Sequence, residues 1–273
     1  MTFEKIIISP HNPQVKNAVR LREKKERDSR KLMIIDGYRA INLALNNRIF
    51  LKELFYCEKF FKRKGAEKDL INLAEEKGTR IFNLAGKVFE KIAYGDNPEG
   101  VLAVAESMEK GLADLPKGKS ALYLVLESLE KPGNLGAILR TADATGVEGV
   151  IVCDNQTDIY NPNVIRSSLG TFFAVPVVKT SSQDAIRWFK DNSIKIIAAI
   201  LQAKTGYSQI DYKDTCALVL GSEDKGLSSA WLKESDFKIK IPLLGQADSL
   251  NVSVAAAVIL YEAIRQRGVD RKR

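Results

Sequence analysis

Apolar and polar positions repeat along this chain with two periods, that of strands and that of helices, and the two alternate. In the first hundred residues, short apolar runs at 31–35, 54–57, 79–82 and 100–105 have the length and composition of strands. Between them, 16–30 is charged and helix-prone, 38–46 reads as a helix ended by Asn46-Asn47, and 66–77 reads as a helix closed by Gly78. Further strand runs fall at 121–126, 149–153, 194–199, 217–220 and 237–241, with helices at 134–145 and 183–191. Strand and helix in alternation predict an α/β fold, with a mostly parallel sheet in the second half. Residues 107–120 break the pattern with Gly111, Pro116, Gly118 and several charges, as a linker does. The expected organisation is an α/β sandwich over 1–106, a linker over 107–120 and a second α/β domain over 121–273. The last run differs from the others: 252–261 is apolar on every helical face, which requires burial on several sides or a subunit contact.

With 273 residues the chain can bury the cores of two ordinary domains. Lys and Arg number 42 against 34 Asp and Glu, a formal charge of +8 that suits a polyanionic partner. Cys57, Cys153 and Cys216 lie far apart, so neither a disulfide framework nor a zinc site is expected. His11 is the single histidine and sits beside Pro10 and Pro13, which argues against His-centred triads and His-rich metal cages. The apolar run before Pro10 is too short for a signal peptide. No run approaches the roughly 18 apolar residues of a membrane helix. A cytoplasmic protein with no membrane partner is expected.

Three segments of the second half carry the candidate chemistry: Asn134-Leu135-Gly136-Ala137-Ile138-Leu139-Arg140, Gly221-Ser222-Glu223-Asp224-Lys225-Gly226-Leu227, and Ser249-Leu250-Asn251-Val252-Ser253. Each stands where an apolar strand run gives way to a loop or helix, the usual location of ligand sites in α/β proteins. The first segment lacks G-x-G-x-x-G, which argues against a dinucleotide enzyme. Taken singly, each residue also has a structural reading. Arg140 could pair with Asp143 on a helix surface, Glu223 could cap the segment after it, and Ser249 or Asn251 could be the N-cap of the last helix.

Together, and with Arg166-x-Ser168-x-Gly170 and Ile241-Pro242 in order between them, these segments resemble the signature motifs of the SpoU (TrmH-like) family of RNA ribose 2′-O-methyltransferases. The resemblance covers the second half; residues 1–106 look, more loosely, like the L30e-type RNA-binding domain that often precedes it. Asp224 departs from the pattern, in which glycine is usual. The resemblance implies a SPOUT domain with a parallel sheet and a trefoil knot. It implies S-adenosylmethionine as cofactor, held by Leu220, Gly221, Glu223, Gly226, Ile241, Leu243, Ser249, Leu250 and Asn251. Asn134, Arg140, Glu223, Ser249 and Asn251 match the family's catalytic and structural polar positions, and no metal is implied. The family's motif arginine, here Arg140, would act as base or as phosphate anchor.

The substrate implied is RNA, ribosomal RNA before transfer RNA, and the non-enzymatic rival is an RNA-binding protein of the same fold. The basic cluster Arg20, Arg22, Lys24, Lys25, Arg27 and Arg30, with Arg39 beside Tyr38 and with Arg166, is the expected RNA surface. The apolar last helix is expected to form a homodimer.

Overall fold

A computed structural model of the chain describes residues 6–63, 65–95, 97–154 and 157–268; the extreme ends of both expected domains lie outside these. In chain order the elements are α1 (Pro13–Arg20), α2 (Lys24–Arg30), β1 (Leu32–Asp36), α3 (Tyr38–Asn46), β2 (Leu51–Tyr56), α4 (Ala66–Glu76), β3 (Arg80–Asn83), α5 (Gly86–Ile92) and β4 (Val101–Glu106). There follow β5 (Leu122–Glu127), α6 (Pro132–Thr145), β6 (Gly149–Cys153), α7 (Pro162–Ser167), β7 (Val177–Thr180), α8 (Ser182–Asp191), β8 (Lys195–Ala199) and β9 (Thr205–Gly206). The chain ends with β10 (Cys216–Leu220), α9 (Ser229–Glu234), β11 (Phe237–Lys240) and α10 (Val252–Arg267).

Two compact units result: residues 1–108 with 158–174, and residues 109–157 with 175–273. The first is a sandwich around a four-stranded sheet of order β1-β4-β2-β3, with β4 antiparallel to both neighbours and β3 parallel to β2. One face packs Ile34, Phe55, Leu102 and Val104 against Val15 and Ala18 of α1 and Val88, Phe89 and Ile92 of α5. Helices α3 and α4 pack on each other, α3 against β1 and β4, and α4 against β2 and β3. The helix expected over 16–30 is two helices, broken at 21–23 where Leu21 is buried in the core.

Residues 158–174, read from sequence as part of the second domain, pack into the first unit. Val164, Ile165, Phe172 and Phe173 are buried. The backbone at Gly170 lies so close to α3 that a Cβ there would stand 2.7 Å from the Cα of Ala40.

The second unit is built on a seven-stranded sheet of order β7-β6-β5-β10-β8-β11-β9, parallel throughout. Tyr123, Val125, Ile151, Ala198 and Val219 form one core with Phe189 of α8 and Trp231 of α9. Helix α6 packs against β6 and α10. It opens with Pro132 in its first turn, two residues before the expected start, where a missing N–H costs nothing. Gly146 closes it in the left-handed conformation. Strand β10 lies between β5 and β8, so the chain segments leaving β5, β8 and β10 emerge at one edge of the sheet. That edge holds the candidate site.

Candidate functional site at the carboxyl edge of the parallel sheet

A cavity of about 620 Å³ opens at the ends of β8, β10 and β11, within the size range of small-molecule sites. Leu220, Gly221, Glu223, Gly226, Ile241, Leu243, Ser249 and Leu250, all expected at a cofactor site, line it. Asn251 stands beside it, one residue before the lining residue Val252. Ala199–Gln202 after β8, and Val252, Ala255 and Ile259 of α10, also line it and were not expected. The first group follows an expected strand, so the rule that sites form at strand ends would have found it. The second group was read only as apolar helix.

The turn after β10 is fixed by its glycines. A Cβ on Gly221 would stand 2.2 Å from the carbonyl carbon and oxygen of Gly226, so only glycine lets the turn close. Gly226 has φ +65 and donates its N–H to the Ser222 carbonyl at 3.1 Å. The Lys225 N–H reaches Ser222 Oγ, also at 3.1 Å. Asp224 is exposed and is absent from the positive-φ residues, so a side chain at this position strains nothing.

Glu223 joins the three sequence segments. Its Oε1 accepts from Nδ2 of Asn134 at 2.8 Å and from Nδ2 of Asn251 at 2.6 Å, and its Oε2 accepts from Nζ of Lys131 at 2.6 Å. It also accepts the backbone N–H of Val252 at the start of α10, where a helix favours negative charge. The Lys131 hydrogen bond, and then its charge and the Asn134 bond, hold the Glu223 carboxyl below the usual carboxylate range. The same bond pushes the Lys131 ammonium up. Asn251 has two roles: Oδ1 caps α10 by accepting the Ser253 N–H at 3.0 Å, while Nδ2 reaches Glu223 and, at 3.3 Å, Oδ1 of Asn134. Ser249 is exposed at the cavity and is not the cap. Arg140 is exposed on α6, outside the cavity wall, and has no hydrogen-bond or ion-pair partner among the described residues.

The residues expected to meet RNA divide into three groups, all in the first unit. Arg27 is a correction. It is 3% exposed, pairs with Asp158 at 2.5 Å and donates to the Leu21 and Arg22 carbonyls, so it is a structural residue that RNA cannot reach in this structure. Arg22, Lys24, Arg30 and Arg166 have internal partners. Arg22 donates to the Lys91 and Ala93 carbonyls, Lys24 pairs with Asp28, and Arg30 pairs with Glu26. Arg166 lies 4.0 Å from Asp36, against the backbone of Gly95. Arg20, Lys25 and Arg39 are exposed. Arg63, outside the expected set, has its guanidinium over the Tyr38 ring at 4.9 Å and pairs with Glu99 at 3.0 Å. Burial pushes the neighbouring Asp36 carboxyl up to about 6. The first unit carries 22 basic against 16 acidic residues, most of the excess positive charge of the chain. Among the described residues, no group of three or more His, Cys, Asp or Glu could hold a metal.

Comparison with known proteins assigns the family. The profile of the SpoU rRNA Methylase family matches residues 121–261, and that of the MRM3-like substrate binding domain matches residues 12–103. The 23S rRNA (guanosine(2553)-2′-O)-methyltransferase RlmP of Bacillus subtilis is 32% identical over 94% of this chain and 98% of its own. RlmB of Bordetella pertussis, a 23S rRNA (guanosine-2′-O-)-methyltransferase, is 34% identical over 86% of this chain and 97% of its own. Among solved structures, the AdoMet-bound rRNA methyltransferase of Sinorhizobium meliloti superposes with a TM-score of 0.88 at 31% identity, covering 96% of this chain and 97% of that one. The AdoMet complex of AviRb from Streptomyces viridochromogenes gives a TM-score of 0.85 at 28% identity, covering 96% of this chain and 100% of that one. The extent of these matches, and the meeting of all three signature segments at Glu223, establish that the chain belongs to the SpoU rRNA methylase family.

Proposed function

We propose that this protein transfers a methyl group from S-adenosylmethionine to a ribose 2′-hydroxyl of 23S ribosomal RNA. The observation that carries this reading is the cavity at the strand ends, walled by the glycine-bounded turn and bordered by the Glu223 clasp. The cavity suits a nucleoside-sized ligand in volume. Its walls offer backbone groups and apolar side chains, with Gly221 letting two backbone segments touch. Bound S-adenosylmethionine would supply an electrophilic methyl group on a sulfonium.

The protein's own residues must then align a weakly acidic hydroxyl and help remove its proton. Glu223, with both oxygens engaged by Lys131, Asn134 and Asn251, orders the turn that forms the cavity wall. Arg140 is assigned to the acceptor. An exposed guanidinium with no internal partner suits a phosphate anchor that orients the adjacent hydroxyl, since guanidinium is a poor base. The first unit binds the RNA through Arg20, Lys25 and Arg39, with Arg22, Lys24, Arg30 and Arg166 contributing field more than direct contact. A trefoil knot formed by the C-terminal segment is part of the proposal. The protein acts in the cytoplasm.

A homodimer through α10 completes the proposal. Val254 and Tyr261, seven residues apart on one helical face, are 48% and 55% exposed, with Ala257 and Val258 half-buried between them. The test of function is incubation of the protein with labelled S-adenosylmethionine and separated 23S, 16S and transfer RNA, followed by mapping of the 2′-O-methyl position. Label in transfer RNA alone would reassign the substrate, and label in none would refute methyl transfer.

A further inference from the structure

We propose that Glu127 is a positioning residue for the methyl donor, acting through the exit of the 221–227 turn. This assignment rests on the reading that the cavity at the strand ends holds S-adenosylmethionine.

Glu127 is the last residue of β5, and strand alternation places it on the same sheet face as Tyr123 and Val125, which are buried in the core beneath α8 and α9. A carboxylate at a position the pattern reserves for an apolar side chain requires compensation. Glu127 is 5% exposed, and both of its oxygens are engaged. Oε2 accepts the backbone N–H of Ser228 at 2.7 Å, and Oε1 accepts the Ser182 hydroxyl at 3.1 Å. Ser182 Oγ in turn accepts the indole N–H of Trp231, which is fully buried, at 2.9 Å.

These partners locate the role. Ser228 directly follows the turn whose residues 221–227 line the cavity, and it is the N-cap position of α9. Trp231 lies on α9, which supplies Leu232 to the cavity wall. Glu127 therefore holds the turn where it enters α9, directly through an amide and indirectly through Ser182 and Trp231. Glu223 holds the same turn near its tip. A donor wall fixed at two points pays less ordering entropy when ligand binds. Glu127 does not line the cavity, so its effect should fall on donor affinity and not on the chemical step.

The test measures S-adenosylmethionine and S-adenosylhomocysteine affinity by calorimetry, donor KM and kcat, and RNA affinity, in the full chain. Glu127→Ala removes both acceptors and should raise donor Kd and KM about tenfold. Its kcat at saturating donor and its RNA affinity should stay within about threefold of wild type. Glu127→Gln keeps an oxygen for the Ser228 amide and should recover most of the donor affinity. Ser182→Ala, which removes only the indirect arm, should raise donor Kd by about threefold. Should the Ala variant fail to fold, unchanged donor affinity in Ser182→Ala overturns the assignment. A folded Ala variant with wild-type donor affinity overturns it too, as does a parallel fall in donor and RNA affinity. Wild-type protein that binds neither probe would overturn the donor reading beneath the assignment, whereas wild-type binding unmoved by the substitutions overturns the assignment alone.

Discussion

Replacing Glu223 by alanine removes the one group that Lys131, Asn134, Asn251 and the Val252 amide share. The Lys131 contribution is small, because its side chain is 70% exposed and water and salt screen an exposed ion pair. The two asparagine bonds to a carboxylate are worth about 1 kcal/mol each at this partly exposed position. Asn251 retains Asn134 as a weaker partner at 3.3 Å. Loss of negative charge at the start of α10 adds about 0.5 kcal/mol. The sum, about 2–3 kcal/mol of local order, should appear as about a thirtyfold or greater loss of donor affinity at pH 7.5 by calorimetry. Glu223→Gln keeps an oxygen at the Oε1 position, to which both asparagines donate, but turns its amide nitrogen toward the Lys131 ammonium, and should lose about fivefold. The pH dependence has a fixed sign. The folded carboxyl lies below its ordinary value of 4.5, so its stabilisation is present above that value and is lost as pH falls through the lowered one. The difference between wild type and Glu223→Ala should therefore be constant from about pH 6 to 8 and shrink below about pH 4. A Glu223→Ala protein with wild-type donor affinity at pH 7.5, or a deficit that grows on acidification, would refute the reasoning.

Arg140→Ala should lower methyl transfer at least about a hundredfold while donor Kd stays within about threefold, read by turnover and calorimetry; Arg140→Lys should recover little if the group is a bidentate phosphate anchor. Gly221→Ala, which forces a methyl into the Gly226 carbonyl, should raise donor Kd about tenfold or more and leave RNA binding unchanged, as measured by calorimetry and filter binding. Asp36 is buried with its carboxyl raised to about 6, so its charge opposes folding: stability present at low pH is lost as pH rises through 6. Asp36→Asn should therefore stabilise the protein by about 2 kcal/mol at pH 8 and by little at pH 4, checked by denaturant titration at both values. Tyr261→Asp should dissociate the proposed dimer and reduce activity together; light scattering that finds active wild-type monomer at micromolar concentration would exclude that interface.

A piece from 119 to 273 would keep residues 158–174 but lose what they pack on: Arg27, the partner of Asp158, and α3, on which Gly170 rests. Val164, Ile165, Phe172 and Phe173 would be uncovered, and the fragment should be poorly soluble. No local pattern announces such an excursion, since the apolar residues of 158–174 would suit the core of either unit.

What the sequence determined by itself is what depends on neighbours close along the chain. Alternating periods gave the α/β class and most strand positions, because side-chain direction in strands and helices follows directly from residue spacing. Asn46-Asn47 and Gly78 marked helix ends, and the strand-end segments at 134, 221 and 249 marked the candidate site. The pattern failed where spacing is not the deciding factor. The two-residue β9 is too short to show a period, and the continuous helix over 16–30 broke so that Leu21 could enter the core. Arg27 looked like one charge in a basic run, and only the tertiary structure, by setting Asp158 131 residues away against it, made it a buried structural group. The clasp has the same origin. Asn134 lies 89 residues from Glu223 and 117 from Asn251, and their hydrogen bonds exist because a parallel sheet brings distant strand ends to one edge. Residue type and local spacing fix which groups can do chemistry, but only the closing of the long loops between them decides which of those groups meet.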